Sequence, residues 1–321
     1  MKKFHFVTLF ITRRCDLACS YCDDSFHLPI SGPKAPQDRS FEGFWDRVLE
    51  RWCPETEYFS ILGGEPTLHK DLDKIIQYIF SQGCKLGITT DGRLEWEKYA
   101  ELVDKGLPEI AVSIDSLEGN CANKSAAIKS ERNYRLLKDL YLDPIRRRPT
   151  LIWCTVVTKQ NVGEVVAMAQ RAKELGCIFA PCPVQQGYEN SLMVASQGHN
   201  SAAHPDDLAR VGEILLKNYD ELSLAEPMSY YELWTRKFDM DVVWHCNDQL
   251  RAPSIDYDGT MWACYALQGQ QSSKLHALRS TWDEILQASQ KDAIACKGCS
   301  WNCLYTSNGI TDGTISPANW V

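Results

Sequence analysis

Three cysteines in one short segment constrain this chain more than any other feature of its sequence. Residues 12–24 read TRRCDLACSYCDD and place Cys15, Cys19 and Cys22 in the spacing C-x3-C-x2-C. Three thiolates so close together form a soft, anionic ligand set that suits an iron–sulfur cluster or a zinc ion. A four-iron cluster on three thiolates keeps one iron open for a substrate. A structural zinc ion would instead need a fourth ligand from another part of the chain.

The first half of the chain alternates two kinds of hydrophobic pattern. Apolar, β-branched runs predict strands, and apolar residues at helical spacing between them predict helices. This alternation predicts an α/β fold with a parallel sheet, right-handed connections and ligands at the carboxyl ends of the strands. The predicted strands are residues 4–11, 58–62, 85–90, 109–115, 150–158 and 177–184, and the predicted helices are residues 41–52, 71–81, 95–104, 126–142 and 162–175.

Polar residues and glycines follow the ends of these predicted strands. Paired glycines let the backbone approach a ligand closely, and a following proline stiffens the exit. An ordinary strand-to-helix turn or a polar strand-end cap would use the same residue types, so both interpretations stay open. The residues are Gly63, Gly64, Glu65 and Pro66 after the second strand, Asp91 after the third, and Ser113 and Asp115 at the end of the fourth.

The cysteine loop and the Gly-Gly-Glu-Pro segment together resemble the radical S-adenosylmethionine (SAM) superfamily. The signature of that family is C-x3-C-x-aromatic-C, with Tyr21 as the aromatic residue here. The resemblance implies a four-iron cluster whose open iron chelates the amino and carboxylate groups of SAM. It also implies that residues 63–66, which match the family pattern fully, contact the SAM amino group. Ser113 and Asp115 are expected to reach the ribose or carboxylate of SAM, and Asp91 stands where family members often have Asn.

The same resemblance implies a partial (β/α)6 barrel that is open on one side for the substrate. We expect this core over residues 1–190 and a helical connection with a C-terminal domain over residues 191–321. Residues 206–222 have the spacing of an amphipathic helix. An aromatic stripe of this kind is usually core and less often a substrate platform; it consists of Tyr230, Tyr231, Trp234 and Phe238.

A second group of cysteines lies in the last quarter of the chain. Asp258-Gly259 predicts a hairpin turn, and two separated cysteines with a C-x2-C pair would close a four-thiolate site for a cluster or a structural zinc ion. The region resembles the SPASM/twitch extension of one radical SAM branch, which implies an auxiliary 4Fe-4S cluster. Five candidates compete for four places, and the favoured set omits the last; they are Cys246, Cys264, Cys296, Cys299 and Cys303.

The function implied by the resemblance is hydrogen abstraction by a 5′-deoxyadenosyl radical. The expected substrate is a small polar metabolite or a peptide, and the expected reductant is a flavodoxin or ferredoxin. Because the first predicted strand starts near Met1, we expect no leader-peptide-binding domain before it. The auxiliary cluster would assist oxidation or hold the substrate. In an alternative, redox-neutral reaction, Cys182 near the end of the sixth strand would donate a hydrogen atom.

A non-enzymatic zinc or electron-transfer protein is the competing class of function. It would explain the cysteines but not the Gly-Gly-Glu-Pro segment. The net charge of −8 disfavours a general nucleic-acid binder. The sequence has no apolar run of membrane-spanning length and no signal peptide, so its 14 cysteines are expected to be metal ligands and reduced thiols in the cytoplasm.

Overall fold

Six parallel strands form the centre of the protein in the computed structural model, which describes residues 3–22, 37–142, 148–184, 201–237, 252–262 and 275–295. The strands are β1 Phe4–Phe10, β2 Thr56–Leu62, β3 Lys85–Thr90, β4 Glu109–Ser113, β5 Thr150–Val157 and β6 Ile178–Pro183. The helices that follow them are α1 Asp46–Trp52, α2 Leu72–Ser81, α3 Trp96–Asp104, α4 Lys124–Leu142 and α5 Val165–Glu174. This arrangement confirms the predicted α/β fold of a partial (β/α)6 barrel.

The two faces of the sheet have different side chains because strand residues alternate in direction. On β1, Val7 and Leu9 are fully buried in the main hydrophobic core. On β5, Trp153 contacts the ring of Tyr134 on α4, with centroids 6.0 Å apart, so this side of the strand faces the helices. Its neighbour Cys154 therefore lies on the inner face of the barrel, beside Ser113 in the register of β4 and β5.

Two boundaries differ from the prediction in ways that matter. Helix α1 starts at Asp46 and not at Phe41, because Gly43 adopts φ +84° and interrupts the helical path. Strand β4 ends at Ser113, so Asp115 lies in the loop beyond it. The apolar spacing at residues 41–45 predicted a helix because a turn with the same buried positions gives the same pattern.

A small C-terminal hairpin extends the sheet on the other side of β1. It consists of β7 Ser254–Ile255 and β8 Thr260–Trp262, and a third strand, β9 Leu275–His276, pairs with β8. Strand β7 runs parallel to β1, with Thr8 opposite Ser254, and pairs in antiparallel fashion with β8. Gly259 has φ +89° in the connecting turn, as the predicted hairpin requires.

Three further helices cover the described part of the C-terminal half. They are α6 Pro205–Lys217, α7 Met228–Thr235 and α8 Trp282–Ala295. Tyr230, Tyr231 and Trp234 of α7 are fully buried in the main core, as the core interpretation of the aromatic stripe predicts, while Phe238 lies outside the described residues. None of the helices in the described ranges combines the length and apolar character needed to cross a membrane.

Candidate radical SAM site

The cysteine loop leaves the carboxyl end of β1 at the rim of the barrel. The three cysteines are reduced, and the backbone N–H of Cys22 donates to the carbonyl of Cys19 at 3.0 Å. The Sγ of Cys15 accepts from the N–H of Leu17 at 3.4 Å. The loop therefore folds back on itself and presents its thiols at one end of the sheet.

The spacing of the three thiols bears on what they can hold. Around one tetrahedral zinc ion, sulfur atoms lie about 3.8 Å apart, because each Zn–S bond is about 2.3 Å. Among the residues that the structure describes, Cys15 lies within 4.8 Å of ligand atoms of Asp16 and Asp91, but it forms no such set with Cys19 and Cys22. At least one pair of the three thiols therefore lies farther apart than ligands of a single ion, which fits a multi-iron cluster.

The Gly-Gly-Glu-Pro segment is bonded directly to the cysteine loop. The N–H of Gly64 donates to the carbonyl of Thr12 at 2.9 Å, and the N–H of Glu65 donates to the carbonyl of Arg14 at 2.7 Å. A Cβ on Gly63 would lie 2.6 Å from the carbonyl oxygen of Thr12, so only glycine permits this approach. Two motifs 40 residues apart in the sequence thus form one structural unit.

Glu65 connects this unit to the next strand. Its buried carboxylate accepts from the N–H of Thr67 at 3.0 Å, the hydroxyl of Thr90 at 2.9 Å and the N–H of Asp91 at 2.7 Å. Burial raises the pKa of this carboxyl, and the hydrogen bonds act in the opposite direction. Glu65 was predicted to bind the cofactor; its carboxylate is engaged in joining the ends of β2 and β3, and Pro66 is buried beside it.

Asp91 lies between Cys15 and Arg132, a residue that was not identified from the sequence. Its Oδ2 accepts from the thiol of Cys15 at 3.9 Å, and its Oδ1 pairs with Arg132 of α4 at 2.9 Å. Arg132 also reaches Asp16, at 3.1 Å. Burial, the charge of Glu65 and a hydrogen bond with Asp16 together raise the pKa of Asp91 to about 9.

Asp115 belongs to a buried group that includes Tyr21. Lys129 of α4 pairs with Asp115 at 2.9 Å, and the hydroxyl of Tyr21 contacts both side chains. The other carboxylate oxygen of Asp115 accepts from the N–H of Val156 at 3.0 Å. Burial lowers the pKa of the Lys129 ammonium, but the charges of Asp115 and Cys19 outweigh it and the net pKa is raised. The aromatic residue of the cysteine loop is therefore held by an ion pair beside the thiols.

Ser113 and Cys182 lie on the inner face of the sheet. The backbone carbonyl of Ser113 accepts from the side-chain amide of Asn133 at 2.6 Å. Cys182 on β6 is opposite Val156, two residues along from Cys154; its thiol donates to the carbonyl of Pro183 at 3.5 Å and lies near the hydroxyl of Tyr230. Burial raises the pKa of Cys154 to about 12, so this neighbouring thiol stays protonated near neutral pH.

The sequence missed three residues of α4 that complete the rim. Lys129, Arg132 and Asn133 are at positions i, i+3 and i+4, which lie on one face of a helix. Lys129 and Asn133 are buried, and polar residues at that spacing are the signal that could have identified them. The five C-terminal candidate ligands, Cys246, Cys264, Cys296, Cys299 and Cys303, all lie outside the described residues.

Comparison with known proteins places this geometry in context. A GTP 3',8-cyclase of Vibrio vulnificus is 28% identical over 246 residues, covering 67% of this chain and 72% of that protein. A PqqA peptide cyclase of Bradyrhizobium diazoefficiens is 31% identical over 134 residues, covering 40% of this chain and 33% of that protein. Streptococcus suis SuiB bound to its precursor peptide SuiA has a similar fold, with a TM-score of 0.67 and 17% identity over 96% of this chain and 73% of that one.

The family model of the Radical SAM superfamily matches residues 9–177, more than half of the 321 residues. The match contains the cysteine loop, the Gly-Gly-Glu-Pro segment and the strand ends that form the rim. The chain therefore belongs to the Radical SAM superfamily.

Proposed function

We propose that Cys15, Cys19 and Cys22 hold a four-iron cluster whose open iron binds SAM, and that the enzyme uses them to abstract a hydrogen atom from its substrate. The observation that carries this proposal is the direct bonding of the cysteine loop to the Gly-Gly-Glu-Pro segment at Thr12 and Gly64. When bound, the cluster and SAM supply a 5′-deoxyadenosyl radical through reductive cleavage of the C5′–S bond. The protein contributes position, charge and exclusion of water.

Each rim residue has a separate part in this proposal. An ammonium group needs acceptors, so backbone carbonyls of residues 63–66 would bind the SAM amino group. Those of Glu65 and Pro66 also accept from the N–H groups of Leu68 and His69. Asp91 and Ser113 lie at strand ends where they would line the ribose and carboxylate. Asp115 is a positioning residue, because its carboxylate holds Lys129 and Tyr21.

The finer class of the enzyme is also part of the proposal. Four of the five C-terminal cysteines would hold an auxiliary 4Fe-4S cluster of the SPASM/twitch type, which accepts an electron from the product radical or binds substrate. A flavodoxin or ferredoxin would supply electrons in the cytoplasm. The substrate would be a small polar metabolite or a peptide; similarity to a GTP cyclase and a peptide cyclase supports both classes.

The position of Cys182 favours a second candidate, a redox-neutral epimerase or rearrangement enzyme. Its thiol lies on the inner face beside Tyr230. In that reaction the S–H bond breaks and a C–H bond forms on the substrate radical, and one electron from the reductant with one proton restores the thiol. Turnover in deuterated water separates the candidates, because hydrogen donation from an exchangeable thiol places deuterium on the product carbon and an oxidation does not.

Anaerobic reconstitution with iron and sulfide tests the main proposal. About eight irons per chain, with 5′-deoxyadenosine formed after addition of SAM and dithionite, would support two four-iron clusters. About four irons with 5′-deoxyadenosine would support the radical SAM reaction and contradict the proposed auxiliary cluster. Zinc in place of iron, or iron-loaded protein that forms no 5′-deoxyadenosine with any candidate substrate, would contradict the proposal.

A matched pair of cysteine variants locates the cluster. We expect Cys19→Ala to lose about four irons and all 5′-deoxyadenosine formation, because one cluster iron would lack its protein ligand. Cys177→Ala removes a thiol that is buried in the main core and should retain both. Equal iron loading and activity in the two variants would show that the cysteine loop does not hold the cluster.

A further inference from the structure

A buried ion pair joins the C-terminal hairpin to the segment that leads into the cysteine loop. Arg13 donates from Nε to Oδ1 of Asp256 at 2.8 Å and from Nη2 to Oδ2 at 2.9 Å, and both side chains are less than one-tenth exposed. Such a two-point contact fixes the relative orientation of its partners as well as their distance. Arg13 is two residues before Cys15, so the contact acts at the base of the cysteine loop.

Asp256 is itself fixed within the hairpin turn. Its N–H donates to the carbonyl of Thr260 at 2.8 Å, and its own carbonyl accepts from the N–H of Gly259 at 2.8 Å. One carboxylate oxygen also accepts from the N–H of Tyr257 at 2.9 Å. A displacement of the hairpin would therefore move the arginine, and with it the start of the cysteine loop.

An aromatic pair lies beside this contact. The guanidinium carbon of Arg13 is 5.5 Å from the ring centre of Phe10 on β1 and 5.4 Å from that of Trp262 on β8. The two rings form a small apolar cluster separate from the main core, and Cys22 and Leu62 pack against it. The end of the cysteine loop, the strand before Gly63 and the hairpin thus meet at one place.

The indole N–H of Trp262 is one of several buried polar groups without a partner among the described residues, and it belongs to the small cluster against which Cys22 packs. Trp262 is only 7% exposed, and its Nε1–H is buried without a hydrogen-bond partner among the residues that the structure describes. Leaving a buried donor unpaired costs about 1–3 kcal/mol, so such groups usually have an acceptor in the working protein. The thiolate and sulfide atoms of a cluster on the adjacent loop are acceptors of that kind.

We propose that Trp262 donates its indole N–H to a sulfur atom of the SAM-binding cluster, and that the Arg13–Asp256 pair holds the hairpin in position for this bond. The inference rests on the proposed cluster. Hydrogen bonds to cluster sulfurs raise the reduction potential, because they stabilise the more negative reduced state. The hairpin thereby makes the cluster easier to reduce, so the C-terminal region tunes the electron acceptance of the N-terminal site.

Trp262→Phe tests the bond, because phenylalanine keeps the aromatic packing and removes the N–H. The midpoint potential of the cluster is measured by a redox titration that follows the electron paramagnetic resonance (EPR) signal of the reduced form. The signal that shifts when SAM is added identifies the SAM-binding cluster. We expect the reduced-to-oxidised ratio at a given potential to fall about tenfold, a shift of about 59 mV for a one-electron couple.

Trp45→Phe is the matched control. The indole N–H of Trp45 is also buried and unpartnered among the described residues, but Trp45 belongs to the main core and not to the cluster of the aromatic pair. Trp45→Phe should therefore leave the potential unchanged. Asp256→Asn should lower the potential in the same direction as Trp262→Phe, because it weakens the contact that positions the hairpin.

An unchanged potential in Trp262→Phe with full iron loading would overturn the inference while leaving the proposed function intact. Failure of the wild-type protein to bind iron would instead refute the proposed function itself. A second measurement uses the wild-type protein and so does not depend on the folding of a variant. With ¹⁵N-labelled indole nitrogens, one indole nitrogen should show a hyperfine coupling to the reduced cluster. Absence of that coupling would also overturn the inference.

Discussion

The carboxyl ends of the strands form the rim of the barrel, and their amino ends form its floor. Each end buries a carboxyl group near β4, Asp115 at the rim and Glu109 at the floor, but the two groups are stabilised differently. At the rim, Asp115 pairs with the Lys129 ammonium at 2.9 Å. At the floor, Glu109 is hydrogen-bonded to the hydroxyl of Tyr58, and burial raises its pKa to about 7. One site keeps a fixed pair of charges next to the cysteine loop. The other is partly protonated near neutral pH, because its pKa of about 7 lies close to that pH.

The floor pair crosses a strand that has no side chain at that place. Tyr58 is on β2 and Glu109 on β4, with Gly87 of β3 between them. A Cβ on Gly87 would lie 2.3 Å from the Tyr58 hydroxyl and 2.4 Å from Oε1 of Glu109. Because glycine has no side chain, the space above Gly87 is open. The hydroxyl of Tyr58 can therefore reach the carboxyl group of Glu109 two strands away and form a hydrogen bond with it. The comparison shows that, at the end of the barrel remote from the proposed cofactor, a tyrosine hydroxyl takes the place that the Lys129 ammonium has at the rim.

The largest effect should come from breaking the rim pair. Lys129→Met leaves the Asp115 carboxylate buried without its cation, and loss of one partner of a buried ion pair typically costs about 3–5 kcal/mol of unfolding free energy. Anaerobic denaturant unfolding measures this loss. Lys124→Met, at an exposed position of the same helix, should change stability by less than about 0.5 kcal/mol.

The double variant Lys129→Met/Asp115→Asn sharpens the same test. Removing both charges should recover part of the lost stability, because no uncompensated charge then remains buried. If the double variant is as unstable as the sum of the single variants, the two side chains do not act as a pair.

At the floor, Glu109→Gln should remove a pH dependence of stability. The folded-state pKa of Glu109 is raised from 4.5 to about 7, so its contribution is fully present below about pH 4.5 and is lost as the pH rises through 7. From pH 4.5 to 8, the wild type should lose about 3 kcal/mol relative to the variant. Glu97→Gln, on an exposed part of α3, should follow the wild-type profile. A wild type with no such loss would refute the raised pKa of Glu109.

The smallest effect should come from Gly87→Ala. The added methyl group overlaps the Tyr58–Glu109 contact and should cost about 1–3 kcal/mol, typical of overpacking in a core. Gly163→Ala is a fair comparison, since a Cβ there meets nothing within 4 Å and the residue has no positive φ. Equal unfolding midpoints for the two variants would show that the floor can rearrange to admit a side chain.

The sequence predicts the strand ends of this protein better than the groups that meet there. Hydrophobic runs locate β3 at residues 85–90 without error, and the positions of Cys15, Gly64 and Asp91 follow from it and its neighbours. The partners of those residues do not follow from it. Lys129 is buried in contact with Asp115 and Tyr21, and Arg13 pairs with Asp256 across 243 residues of sequence. Neither contact leaves a local pattern, because each depends on the tertiary fold.

The parallel pairing of Thr8 with Ser254 also has a consequence for synthesis of the chain. At about 5–20 residues per second, β1 leaves the ribosome roughly 10–50 s before β7 can join it. Throughout that interval one edge of β1 has no strand beside it from the hairpin, and such edges are prone to pair with other chains. The strand that leads into the cysteine loop therefore has one edge that is completed only late in synthesis.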